Sequence, residues 1–142
     1  MVKAATSIPH LLLMGCLLSC SPASRSRHDQ NISDIGVSAA TYTGRSGNPL
    51  EPACAAWSLS PAEVRRVLEL SQSYQTSPYS GFYQLPCAIS GTIREEGRVW
   101  DFELNGGGVV KLTSGQETKY MGCRDNQCEP YILLLTDDMA GN

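Results

Sequence analysis

Apolar and polar residues alternate most cleanly from Arg98 to Leu104. Trp100, Phe102 and Leu104 share one parity, and Val99, Asp101 and Glu103 share the other. A period of two marks a half-buried strand. The same reading predicts a strand over Leu85 to Arg94, with Cys87, Ile89, Gly91 and Ile93 on one side. Glu95-Glu96-Gly97 reads as a three-residue hairpin loop with Gly at its left-handed position. Asn105-Gly106-Gly107-Gly108 turns the chain into a strand over Val109 to Thr113. Ser114-Gly115 turns it again into Glu117 to Gly122, and Tyr131 to Thr136 is an apolar final strand.

One stretch switches to helical spacing. Ser60-Pro61-Ala62-Glu63 combines an N-cap Ser, Pro at the first helical position and Glu at N3. Leu59 and Val64 stand where a hydrophobic staple would form. Val64, Val67, Leu68, Ser71 and Tyr74 follow as one stripe, so the helix is expected to fray by about Tyr74. Short loops between strands favour a meander, and the helical stripe needs an apolar face to cover it. The expected fold is α+β: one amphipathic helix packed on a four- or five-stranded antiparallel meander sheet, braced by disulfides.

The N-terminal pattern is of another kind. Lys3 precedes an apolar run from Leu11 to Leu18, the plan of an export signal. The run is too short to span a bilayer, which takes about 20 apolar residues. Leu17-Leu18-Ser19-Cys20 then resembles the lipobox of bacterial lipoproteins: Leu, a tolerant position, a small residue and Cys. The resemblance implies a signal peptide over 1–19, lipid transfer to the Cys20 thiol, cleavage before Cys20 and acylation of the new amine. Leu13-Met14-Gly15-Cys16 is an overlapping candidate, which makes Cys16 the alternative lipid site. Cleavage there would leave Leu17 and Leu18 at the head of the tether and shorten the apolar run. An ordinary secretory signal with incidental cysteines is the competing reading. Ser21, in place of Asp, resembles lipoproteins sorted to the outer membrane of a Gram-negative cell. The expected location is therefore the envelope, lipid-anchored on the outer membrane and facing the periplasm.

Residues 20–52 are rich in Ser, Gly, Asn, Asp and Thr and read as a flexible tether, with a small domain over 53–142. The 142-residue length leaves little room for a second domain. A net charge of −3, with no basic run beyond Arg25 to Arg27, gives no electrostatic reason to bind nucleic acid.

Cys54, Cys87, Cys123 and Cys128 form an even set in an exported domain, so disulfides are expected. Of the three connectivities, Cys54–Cys87 with Cys123–Cys128 is favoured. The second closes a short loop between two strands, and the first ties the segment before the helix to the first strand. A four-thiolate zinc site is the rival, but only Cys123 and Cys128 approach the usual ligand spacing. No metal and no other cofactor is expected.

Both histidines, His10 and His28, precede the expected domain. That removes His-dependent triads and His-ligated metals from it. Asp101 with Glu103, and Glu95 with Glu96, are the remaining carboxylate pairs. Same-face strand neighbours are commonly the solvated side of a sheet. No enzyme activity is expected. The candidates for contact with a partner are Tyr79, Phe82 and Tyr83 in a turn-rich stretch, because Tyr is favoured at interfaces. Gly106, Gly107 and Gly108 join them, because a glycine loop lets a partner approach the backbone closely. The expected partners are a membrane, through the lipid, and an unidentified protein. An inhibitor or immunity-type lipoprotein fits that outline. An assembly subunit of an envelope or secretion complex is the alternative, and a carboxylate-dependent hydrolase comes last.

Overall fold

The computed structural model describes residues 31–136. The expected signal peptide, Cys16, Cys20 and the first part of the expected tether lie outside them. Among the described residues the elements run β1 (Ile32–Val37), β2 (Thr41–Tyr42), α1 (Leu50–Ala56), α2 (Pro61–Leu70), β3 (Gln72–Tyr74), β4 (Cys87–Glu95), β5 (Arg98–Asn105), β6 (Val109–Ser114) and β7 (Glu117–Gly122). Two 3-10 helices, Tyr79–Gly81 and Asn126–Tyr131, complete the set.

The strands form one seven-stranded antiparallel sheet in the order β1-β4-β5-β6-β7-β3, with β2 also on β4. The meander β4 to β7 is the part the alternating pattern predicts. The sheet is larger than the expected four or five strands, and there is more than one helix. The added strands are β1 and β2, inside the stretch expected to be tether, and β3, expected to be the end of the helix.

β1 was hidden by a bulge. Ser33 pairs with Arg94 and Gly36 with Thr92, so Asp34 and Ile35 together face one residue of β4. Asp34 takes the extra step at φ 47°, which Asp tolerates better than most residues. The insertion puts Ile35 and Val37 back on the side of Ile32, where they pack against the core. A strict period of two cannot see this strand, so the folded part begins by Ile32 and not near residue 53.

β3 follows from the end of α2. The capping box is formed: Glu63 N donates to Ser60 Oγ at 3.3 Å, and Ser60 N donates to Glu63 Oε2 at 2.7 Å. The helix stops at Leu70. Ser71 is extended, and its hydroxyl donates back to the Val67 carbonyl at 2.7 Å. That side-chain bond competes with another helical turn. The chain then runs straight on as β3, with Tyr74 opposite Tyr120.

Glu96 and Gly97 have φ of 50° and 81°, the mark of a two-residue type I′ turn. Glu95 pairs with Arg98 and belongs to the strand. The expected three-residue loop is therefore one residue too long. The expected strand over Tyr131 to Thr136 is absent. The amides of Leu133 and Leu134 both donate to the Gly106 carbonyl, at 2.9 and 3.0 Å, which is no strand ladder. The edge of β7 is already occupied by β3.

The core lies on one face of the sheet. Ile89, Ile93, Trp100, Phe102, Leu104, Val110 and Leu112 meet Val64, Val67 and Leu68 of α2. Disulfides join Cys54 to Cys87 and Cys123 to Cys128, with Cα separations of 5.8 and 6.4 Å. The first ties α1 to the start of β4, and the second closes the loop after β7. Among the described residues no cysteine is left as a thiolate for zinc, and no helix is long and apolar enough to cross a membrane.

Candidate binding surface and cavity

Two features stand out among the described residues. One is a loop platform at one end of the molecule. The other is a half-open cavity between the sheet edges.

The platform is organised by Asn105, the last residue of β5. Its Nδ2 donates to the Leu85 carbonyl at 2.7 Å, and its Oδ1 accepts from the Leu85 and Gly107 amides at 3.2 and 2.9 Å. The segment before β4 is thereby held against the β5–β6 turn. A Cβ on Gly107 would lie 1.8 Å from the Tyr83 carbonyl oxygen, so only glycine allows this approach. The segment after β7 comes to the same place. Thr136 Oγ1 and Arg124 Nη2 donate to the Gly81 carbonyl at 3.0 and 3.1 Å.

All six residues expected to contact a partner are thus brought together, but most are not displayed. Phe82 is buried beneath Arg124, with its ring edge-on to Tyr74 at 6.0 Å. Gly106, Gly107 and Gly108 are buried, and what approaches their backbone is Tyr83 and the 132–134 segment of the same chain. They are not a surface for a partner. Tyr83 is half-buried. Tyr79 alone is open, at 69% exposure. Leu134, at 43%, is an exposed apolar side chain on the segment that Thr136 ties to Gly81.

The cavity was not foreseen from the sequence. It has a volume of about 340 Å³ and is lined from both edges of the sheet, by Ile32 of β1 and Tyr74 of β3. The sheet therefore curls around it, with Leu68 of α2 behind. Ile93, Leu112 and Met121 make the inner lining apolar. Glu95 and Lys119 stand in its wall. Glu95 is almost fully buried, and its Oε2 accepts from Lys119 Nζ at 2.7 Å. The same ammonium lies 4.3 Å from the Trp100 ring centre, and the Arg98 guanidinium lies 4.6 Å from it. Arg98 is itself held by Glu117 and by Ser114. The clue to Glu95 is its parity with Cys87, Ile89 and Ile93.

Asp101 and Glu103 are exposed on the opposite face, between Thr113 and Lys111 of β6 and Thr92 and Ser90 of β4. They face solvent across a shallow surface and not each other across a cleft. Among the described residues no cluster of three metal-binding side chains occurs.

No family model, curated protein or solved structure matches this chain.

Proposed function

We propose that this chain is a lipid-anchored envelope protein whose small domain binds another protein, in the manner of an inhibitor or immunity lipoprotein. The observation that supports this reading is Tyr79. A large aromatic side chain stands 69% exposed at the start of the 3-10 helix Tyr79–Gly81, whose last carbonyl, that of Gly81, accepts hydrogen bonds from Arg124 and Thr136. Aromatic side chains on preorganised backbone anchor protein interfaces, because little freedom is lost when they are covered. Leu134 is a second exposed apolar side chain, on the segment that Thr136 ties to Gly81. The lipid on Cys20 would keep this surface at the membrane, where several acyl chains on one residue hold far better than one.

Two experiments test the two halves of the reading. Cys20→Ala should release the protein from membranes on fractionation, and Cys16→Ala should not; the reverse result would move the lipid to Cys16. A photo-cross-linking amino acid at position 79, in living cells, should trap one discrete protein. The same group at the exposed Val99, on the outer face of the sheet, should not trap it. Equal trapping from both positions would remove Tyr79 from the interface.

A further inference from the structure

We infer that the cavity between β1, β3 and α2 is a binding site for the single alkyl chain of an anionic amphiphile, of the fatty-acid or lysophospholipid class. Four observations carry this. The space, about 340 Å³, falls at the small end of the range in which proteins hold small ligands. Its buried lining is Ile32, Leu68, Ile93, Leu112 and Met121, with Glu95 as the one buried polar side chain. That carboxylate is already met by Lys119, so the remaining buried surface suits methylenes and not a polar body. Its wall carries one cation, Lys119, whose ammonium has three hydrogens. Glu95 takes one, and the side chain is 41% exposed, so an anionic head at the mouth can be met without breaking the buried pair.

The fourth observation is position. Ile32, the first residue of β1, lines the cavity. If Cys20 carries the lipid, residues 20–30 can reach at most about 40 Å. The cavity then stays close to a bilayer, the main source of such amphiphiles. This last step rests on the lipoprotein reading. The cavity and its chemistry do not.

The test uses the full chain carrying Cys16→Ser and Cys20→Ser, purified without detergent, so that no attached lipid competes. The probe is dansylundecanoic acid. Saturable binding with a blue-shifted dansyl emission is expected. Thr118→Trp and, separately, Gln75→Trp place a bulky ring in the cavity from its exposed rim, and each should weaken binding at least tenfold. Unchanged thermal unfolding will show that the fold is intact. Myristic acid should displace the probe at least threefold more effectively than tetradecanol, because only the acid meets Lys119. Displacement by myristic acid points to a free acid as ligand, and displacement by lysophosphatidylglycerol alone points to a membrane phospholipid. Absence of saturable binding, or equal binding by both Trp variants and the parent, would overturn the inference. Displacement by neither competitor, with doubling of the mass at the working concentration, would instead assign the cavity to a second copy of the chain. Membrane fractionation of Cys20→Ala reads the lipidation separately, so the two failures are distinguishable.

Discussion

Lys119 Nζ lies 2.7 Å from Glu95 Oε2, joining a half-exposed ammonium on β7 to a carboxylate that is 8% exposed on β4. The two strands are not neighbours: β5 and β6 lie between them in the sheet. The contact therefore spans the concave side and depends on the curl that also forms the cavity.

Removing one partner should cost more than removing both. Lys119→Met leaves a buried carboxylate without its cation, and we expect a loss of about 2 kcal/mol, moderated by the exposure of the lysine. The double variant Glu95→Gln with Lys119→Met should recover about half of that loss. Urea unfolding of the parent, the single variants and the double variant checks it; additive losses would mean the two groups do not interact.

The two disulfides should differ in weight. Cys54 and Cys87 are 33 residues apart, and Cys123 and Cys128 are 5 apart. In the chain-entropy model the longer loop contributes about 3–4 kcal/mol and the shorter about 2. Paired Cys→Ala variants should lower the unfolding temperature in that order.

The capping box should be visible as pH dependence. Backbone and side-chain hydrogen bonds from Ser60 hold the Glu63 carboxyl below its ordinary value of 4.5. A depressed carboxylate stabilises the fold above the unfolded pKa, and that contribution fades as pH falls through the folded pKa. An NMR titration should place the Glu63 midpoint below that of an unstructured glutamate. Ser60→Ala should return it toward the ordinary value and cost about 1 kcal/mol at neutral pH.

Gly107→Ala should be the most damaging single methyl added to the β5–β6 turn. The new carbon would meet backbone, the Tyr83 carbonyl, at 1.8 Å. Backbone cannot rotate away, so about 2–3 kcal/mol is expected. Gly106→Ala meets the ends of Leu133 and Leu85 at 3.0 and 3.1 Å and should cost less. Thermal unfolding of both variants separates them.

The meander and the capped helix were legible because each rests on a local rule. Trp100, Phe102 and Leu104 share a parity, and Ser60 and Glu63 stand at cap spacing whatever surrounds them. The rest failed at identifiable places. The bulge at Asp34 and Ile35 broke the parity of β1 and made a strand look like a tether. Counting Glu95 into the hairpin loop concealed a buried charge on the core side of β4. The six residues expected to meet a partner lie near one another, but most of them are covered, because the close approach at Gly107 is made by the chain's own Tyr83.

What the sequence by itself determined is therefore local: the alternation of β4 to β7, the start of α2 and the even set of cysteines. Tertiary structure alone decided which short segments complete the sheet, where α2 ends, that Tyr79 is displayed while Phe82 is covered, and that Glu95 meets Lys119 across a cavity. The physical reason is range. Turns, caps and periodicity are set by residues a few positions apart, whereas edge pairing, sheet curl and burial depend on segments far apart in the chain, such as Ile32 and Tyr74.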